Sequence, residues 1–116
     1  MNSGDPTGFG LAPTTYYKGL RVTGATAYLS SPPSNLTVLA NNIVSRVLFD
    51  GKTAIGAETL HGKQYHATKE VILSAGTFDS AKILLLSGVG SETELSKNSI
   101  PIIHNLPSVG KNMIDQ

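Results

Sequence analysis

Two patterns predict a mixed α/β fold for this 116-residue chain. In the first, Val71-Ile72-Leu73 is an uninterrupted apolar run of strand composition. The turn residues Ser74-Ala75-Gly76 follow, then a polar step at Asp79-Ser80 and a second apolar run, Ile83 to Leu86, closed by Ser87-Gly88-Val89-Gly90. That order is strand, glycine turn, helix, glycine stop. It sets a helix N-terminus and backbone N–H groups beside a strand end, where open α/β sheets bind cofactors. Most units of this kind bind nothing, so the spacing alone assigns no ligand. In the second pattern, residues 43–68 hold three short runs rich in β-formers, separated by the hairpin signals Asp50-Gly51 and His61-Gly62-Lys63. They predict an antiparallel meander, with a face to bury and too little sheet to stand alone.

Composition narrows the function classes. The length allows one domain at most. A net charge of +1 points to neither nucleic acid nor an anionic membrane surface. With no cysteine, disulfides, thiolate metal sites and thiol nucleophiles are excluded. No apolar run approaches the ~20 residues of a membrane span. The first residues lack the basic start and apolar stretch of a signal peptide.

Taken in order, residues 1–18 read as loop, broken by Pro6, Gly8, Gly10 and Pro13. A short helix is expected from about Thr23 to Leu29, with Gly24 as its weak point. Ser30–Ser34 is a proline break. Leu36–Leu39 has strand composition, Asn41-Asn42 turns, and Ile43–Asp50, Ala54–Leu60 and Gln64–Thr68 form the meander. Residues 70–73 enter a strand of the kind covered on both faces in a parallel sheet. The following helix, placed at 79–87, takes Asp79 or Ser80 as its cap and Gly88 as its stop. Ser91 and Glu94 have capping-box spacing for a further helix ending before Pro101. Ile102–His104 reads as a short strand and residues 106–110 as a loop.

His61, His66 and His104 have no metal spacing and read as surface residues. Ser74 and Ser87 lack the context of a nucleophilic elbow. Asn35-Leu36-Thr37 is a glycosylation sequon, at what reads as a strand entrance.

Residues 69–90, KEVILSAGTFDSAKILLLSGVG, resemble the second signature of the glucose-methanol-choline (GMC) family of flavin oxidoreductases. Gly76, Thr77, Ser80, Ile83-Leu84 and Ser87-Gly88-Val89-Gly90 stand in register with it. Ala81 stands where the family usually has proline, a substitution that keeps the helix. The resemblance runs through Gly19–Leu29, Ser34–Leu60 and Ile100–Gln116, with Ser108 in place of the usual glycine and Gln116 where histidine is common.

It implies a partial FAD-binding, Rossmann-like domain with an antiparallel meander and short helices, an incomplete middle part that spans residues 1–116. It implies FAD as cofactor and a small alcohol as substrate of the parent protein, oxidised by hydride transfer to the flavin. Val44 matches a position whose main chain contacts the adenine side of FAD. Ala75 and Gly76, small residues at the strand end, are carried as further cofactor contacts. The family's Gly-x-Gly-x-x-Gly unit and its catalytic histidine have no counterpart here, so no catalytic residue is assigned and the chain alone is expected to be inactive. A non-catalytic or partner-dependent module, and a lyase or cyclase on the same fold, remain the alternative readings.

Overall fold

The computed structural model of the chain describes residues 14–115. They fall into two units, one ending at Val38 and one starting at Leu39. The loop expected over residues 1–13 lies outside the described residues.

In the first unit, β1 (Tyr16–Tyr17) and β2 (Leu20–Arg21) form an antiparallel hairpin, with Tyr16 opposite Arg21 and Tyr17 opposite Leu20. Part of the expected loop is thus a strand. Its sequence signal is Lys18-Gly19, where φ is 49° and 77°; positive values at both positions suit the tightest hairpin loop. Helix α1 (Gly24–Tyr28) begins where expected. Thr23 caps it reciprocally with Thr26: the Thr26 N–H donates to Thr23 Oγ1 at 3.1 Å and the Thr23 N–H to Thr26 Oγ1 at 2.8 Å.

Residues 36–39 form no strand, although their composition favours one. Leu36, Val38 and Leu39 are all exposed. β-propensity describes the fit to a pleated, half-buried surface, and these residues have no neighbouring strand among the described residues.

The second unit contains the meander: β3 (Val44–Asp50), β4 (Thr53–Thr59) and β5 (Gln64–His66), antiparallel in that order. Register shifts between Val44 and Arg46 and between Leu48 and Phe49 mark bulges, which bend and twist a two-sided ribbon. One side chain from each strand meets on the exposed face. Arg46 grips Glu58 with two bonds, 3.0 Å from Nε and 3.2 Å from a terminal nitrogen, and Gln64 Nε2 donates to Glu58 Oε2 at 2.7 Å.

The hydrogen bond from Arg46, followed by that from Gln64, holds the Glu58 carboxyl below its ordinary pKa. A folded-state pKa below the unfolded value stabilises the meander above the unfolded carboxylate range, about 4.3. That stabilisation is lost as pH falls through the depressed folded value. Glu58→Gln is therefore expected to show a shallower fall in urea midpoint than wild type on acidification below about pH 4. Parallel acid profiles would show that the contact is energetically silent.

Helix α2 (Gly76–Leu86) starts three residues before the expected Asp79, and no side chain caps it. Ser80 instead accepts the Ala75 N–H at 3.1 Å, and Asp79 pairs with Lys82 at 3.6 Å. The stop is where the sequence placed it, at Gly88 with φ 84°. Ser87, also at this end, joins helix to sheet. Its Oγ accepts the Val47 N–H at 2.8 Å and donates to the Ile83 carbonyl. Both Ser87 and Val47 are buried. Ser87→Ala leaves a buried N–H without its partner, and should lower stability by about 1–3 kcal/mol in urea denaturation; a change within error would mean that water replaces the hydroxyl.

The expected strand at 70–73 is likewise absent. Val71 and Leu73 are half-buried while Ile72 is 72% exposed, and no described strand lies beside them to form a ladder. The parallel pairing occurs elsewhere, between β6 (Val89–Gly90) and β7 (His104–Asn105), where Val89 faces His104. The strand expected at 102–104 thus sits slightly later. Between β6 and β7, α3 (Glu92–Lys97) follows Ser91 without the capping box. The Glu94 carboxylate is drawn to Lys111 instead, and Asn105 Oδ1 serves the Glu92 N–H at 3.2 Å. Among the described residues, the buried apolar side chains are Val47, Ile83, Val89, Leu95 and Val109.

Candidate functional site

A groove of about 640 Å³ opens between the start of β3, the extended segment 71–75 and the first turns of α2. Its size falls within the roughly 300–1,000 Å³ of small-molecule sites. Ile43, Val44, Ala57, Val71, Leu73 and Ile83 give it apolar walls, and Asp79 and Lys82 are the charged side chains among its described lining residues.

Two of the three sequence-predicted site residues meet here. Val44 opens one wall from the end of edge strand β3, and Ala75 lies across from it before α2. The third, Gly76, does not line the groove; it is the first residue of α2, with φ 86° and open space where a Cβ would stand. Sequence reasoning missed Ala57, Asp79 and Lys82. Asp79 was legible only as a helix cap, and nothing marked Ala57 as facing segment 71–75.

The histidines do not contribute. His61, His66 and His104 are exposed, as expected. Among the described residues no group of His, Cys, Asp and Glu is placed to hold a metal ion. No described helix is long and apolar enough to cross a membrane.

The sequence matches the GMC oxidoreductase family over residues 1–116. The chain belongs to that family. It is 43% identical over 120 residues to human mitochondrial choline dehydrogenase, covering 99% of this chain and 20% of that protein. Against the oxygen-dependent choline dehydrogenase of Pseudomonas putida it is 40% identical over 123 residues, 99% of this chain and 22% of the relative. Among solved structures, a mutant of the Aspergillus oryzae formate oxidase, studied for the mutation's effect on FAD modification, superposes with a TM-score of 0.78 at 33% identity, over 87% of this chain and 18% of that one. The chain spans about a fifth of the length of these relatives. The described helices and antiparallel sheet thus form part of a Rossmann-like GMC domain.

Proposed function

We propose that this chain is a segment of an FAD-dependent oxidoreductase that oxidises a small alcohol, and that its groove takes the adenine end of FAD. The observation that carries the reading is the meeting of Val44 and Ala75 in one apolar groove of a GMC-family chain. The residues present fit such a group. A flat heteroaromatic ring suits walls of Val44, Ala57, Ala75 and Ile83, and the small alanines let it approach the backbone.

FAD, when bound, supplies the hydride acceptor for the alcohol carbon. The role of these residues is to bind and orient. The apolar walls exclude water from the ring faces, and the main chain of Val44, at the end of an edge strand, offers uncharged hydrogen-bonding groups to the adenine. Ser87 fixes the helix wall against β3. The chain's surface also supports a segment role. Ile72, Phe78 and Ile114 are 72%, 74% and 92% exposed, large apolar side chains of a kind that further polypeptide covers in a complete domain.

The test is to purify the longer protein that carries these residues, record its flavin spectrum and add primary alcohols without oxygen. Stoichiometric flavin that bleaches with an alcohol is expected; a colourless protein, or flavin that no alcohol reduces, overturns the reading. Residues 1–116 alone, mixed with FAD and desalted, should retain no stoichiometric flavin and show no turnover.

A further inference from the structure

The groove carries charge at one place, on its helix wall. Asp79 and Lys82 are both lining residues, with Asp79 Oδ1 3.6 Å from Lys82 Nζ. Their side chains are 63% and 69% exposed, and a solvated pair at this spacing adds little to stability. Its chemistry is more informative. A carboxylate only accepts and an ammonium only donates, so the pair presents an acceptor beside a donor to whatever enters the groove.

One edge of adenine has the complementary order, with the N6 amine as donor and N7 as acceptor. A single Asn or Gln amide commonly reads that edge through its own oxygen and nitrogen; here two side chains one helical turn apart supply the same two functions. The other adenine edge, N1 with the second N6 hydrogen, is left to the main chain of Val44 on the facing wall. The two walls therefore share the ring without competing for it.

We infer that the Asp79–Lys82 pair reads the N6/N7 edge of the cofactor's adenine and makes α2 the wall that selects adenine over other purines. This rests on the FAD reading above. It assigns the two residues different duties. Asp79 discriminates, because replacing the N6 amine by oxygen turns a donor into an acceptor facing a carboxylate. Lys82 adds affinity without favouring adenine, because its ammonium donates to N7 in either base and can also donate to the oxygen of hypoxanthine.

The experiment uses apoprotein of the longer flavoprotein, titrated with FAD and with its hypoxanthine analogue, in which oxygen replaces the N6 amine. Quenching of flavin fluorescence reports affinity without reference to turnover. Wild type should prefer FAD by about tenfold or more. Asp79→Ala should shrink that preference by about fivefold or more, the remainder reporting the Val44 main chain. Lys82→Met should weaken both ligands, the hypoxanthine analogue by the larger factor, so that the preference for FAD is kept or widened. Both side chains are exposed, and melting curves check that the variants fold. Wild type that binds neither flavin overturns the FAD reading itself. Wild type that binds FAD, with a ratio that Asp79→Ala leaves untouched or that Lys82→Met narrows, overturns only the assignment of the pair.

Discussion

Gly88→Ala is expected to destabilise the fold by about 2–5 kcal/mol, combining a left-handed backbone penalty with steric overpacking. Gly88 has φ 84°, and a Cβ there would stand 2.2 Å from the Pro101 carbonyl oxygen and 3.0 Å from Ile103 Cγ1. The first obstacle is backbone, so no side chain can swing aside to relieve it. The Gly88 carbonyl also accepts the Ile103 N–H at 2.8 Å and the His104 N–H at 3.1 Å, bonds that lead into the β6–β7 pair. Relieving the clash moves the 101–105 segment and weakens these bonds. Gly62→Ala isolates the backbone contribution: its φ is 78° with nothing within 4 Å of the added carbon, so it should cost only about 1–2 kcal/mol. Urea denaturation of both variants decides the matter. Equal losses would show that the Pro101 contact yields freely and that φ alone demands glycine at position 88.

That position was legible because a glycine stop after an apolar helical run has one common meaning. The meander was legible for a similar reason: its runs repeat with a strand's period and its turns carry hairpin residues, all local signals. Failures came where structure depends on a neighbour. Val71-Ile72-Leu73 and Leu36–Leu39 have strand composition, yet a strand is defined by the chain beside it, and none of the described residues supplies one. Conversely, β6 and β7 are two residues each and are held by pairing across Pro101, which no period reveals. The capping box at Ser91 failed because its spacing ignores rivals, and Lys111, distant in sequence, takes Glu94. In the site, Val44 was chosen through the family resemblance, and Ala75 as a small residue at the end of the expected strand. Their placement in one groove depends on Ser87 fastening α2 to β3, a contact forty residues long in sequence that only folding discloses.

Leu95→Ala should lower stability by about 2–5 kcal/mol, the range for a fully buried leucine whose site cannot collapse. Leu95 is 1% exposed, the most buried large side chain described. It belongs to a helix of only six residues, α3, which at that length has no stability of its own and must be held by what it packs against. Its Cδ2 stands 3.7 Å from where a Gly90 Cβ would be, and Leu85 Cδ2 stands 2.4 Å from the same point. The leucines of α2 and α3 thus close over Gly90. Truncating Leu95 removes the apolar anchor of α3 and opens space beside Leu85 on the helix that walls the groove. Two comparisons give the prediction its force. Leu95→Met conserves volume and should cost less than about 1.5 kcal/mol. Leu60→Ala, at a leucine 64% exposed, should stay within about 0.5 kcal/mol, as surface substitutions do. The urea midpoint should fall in the order Leu60→Ala, Leu95→Met, Leu95→Ala, with unchanged slope. If Leu95→Ala behaved like Leu60→Ala, α3 would not be anchored through this side chain, and the closure over Gly90 would have to come from Leu85 alone.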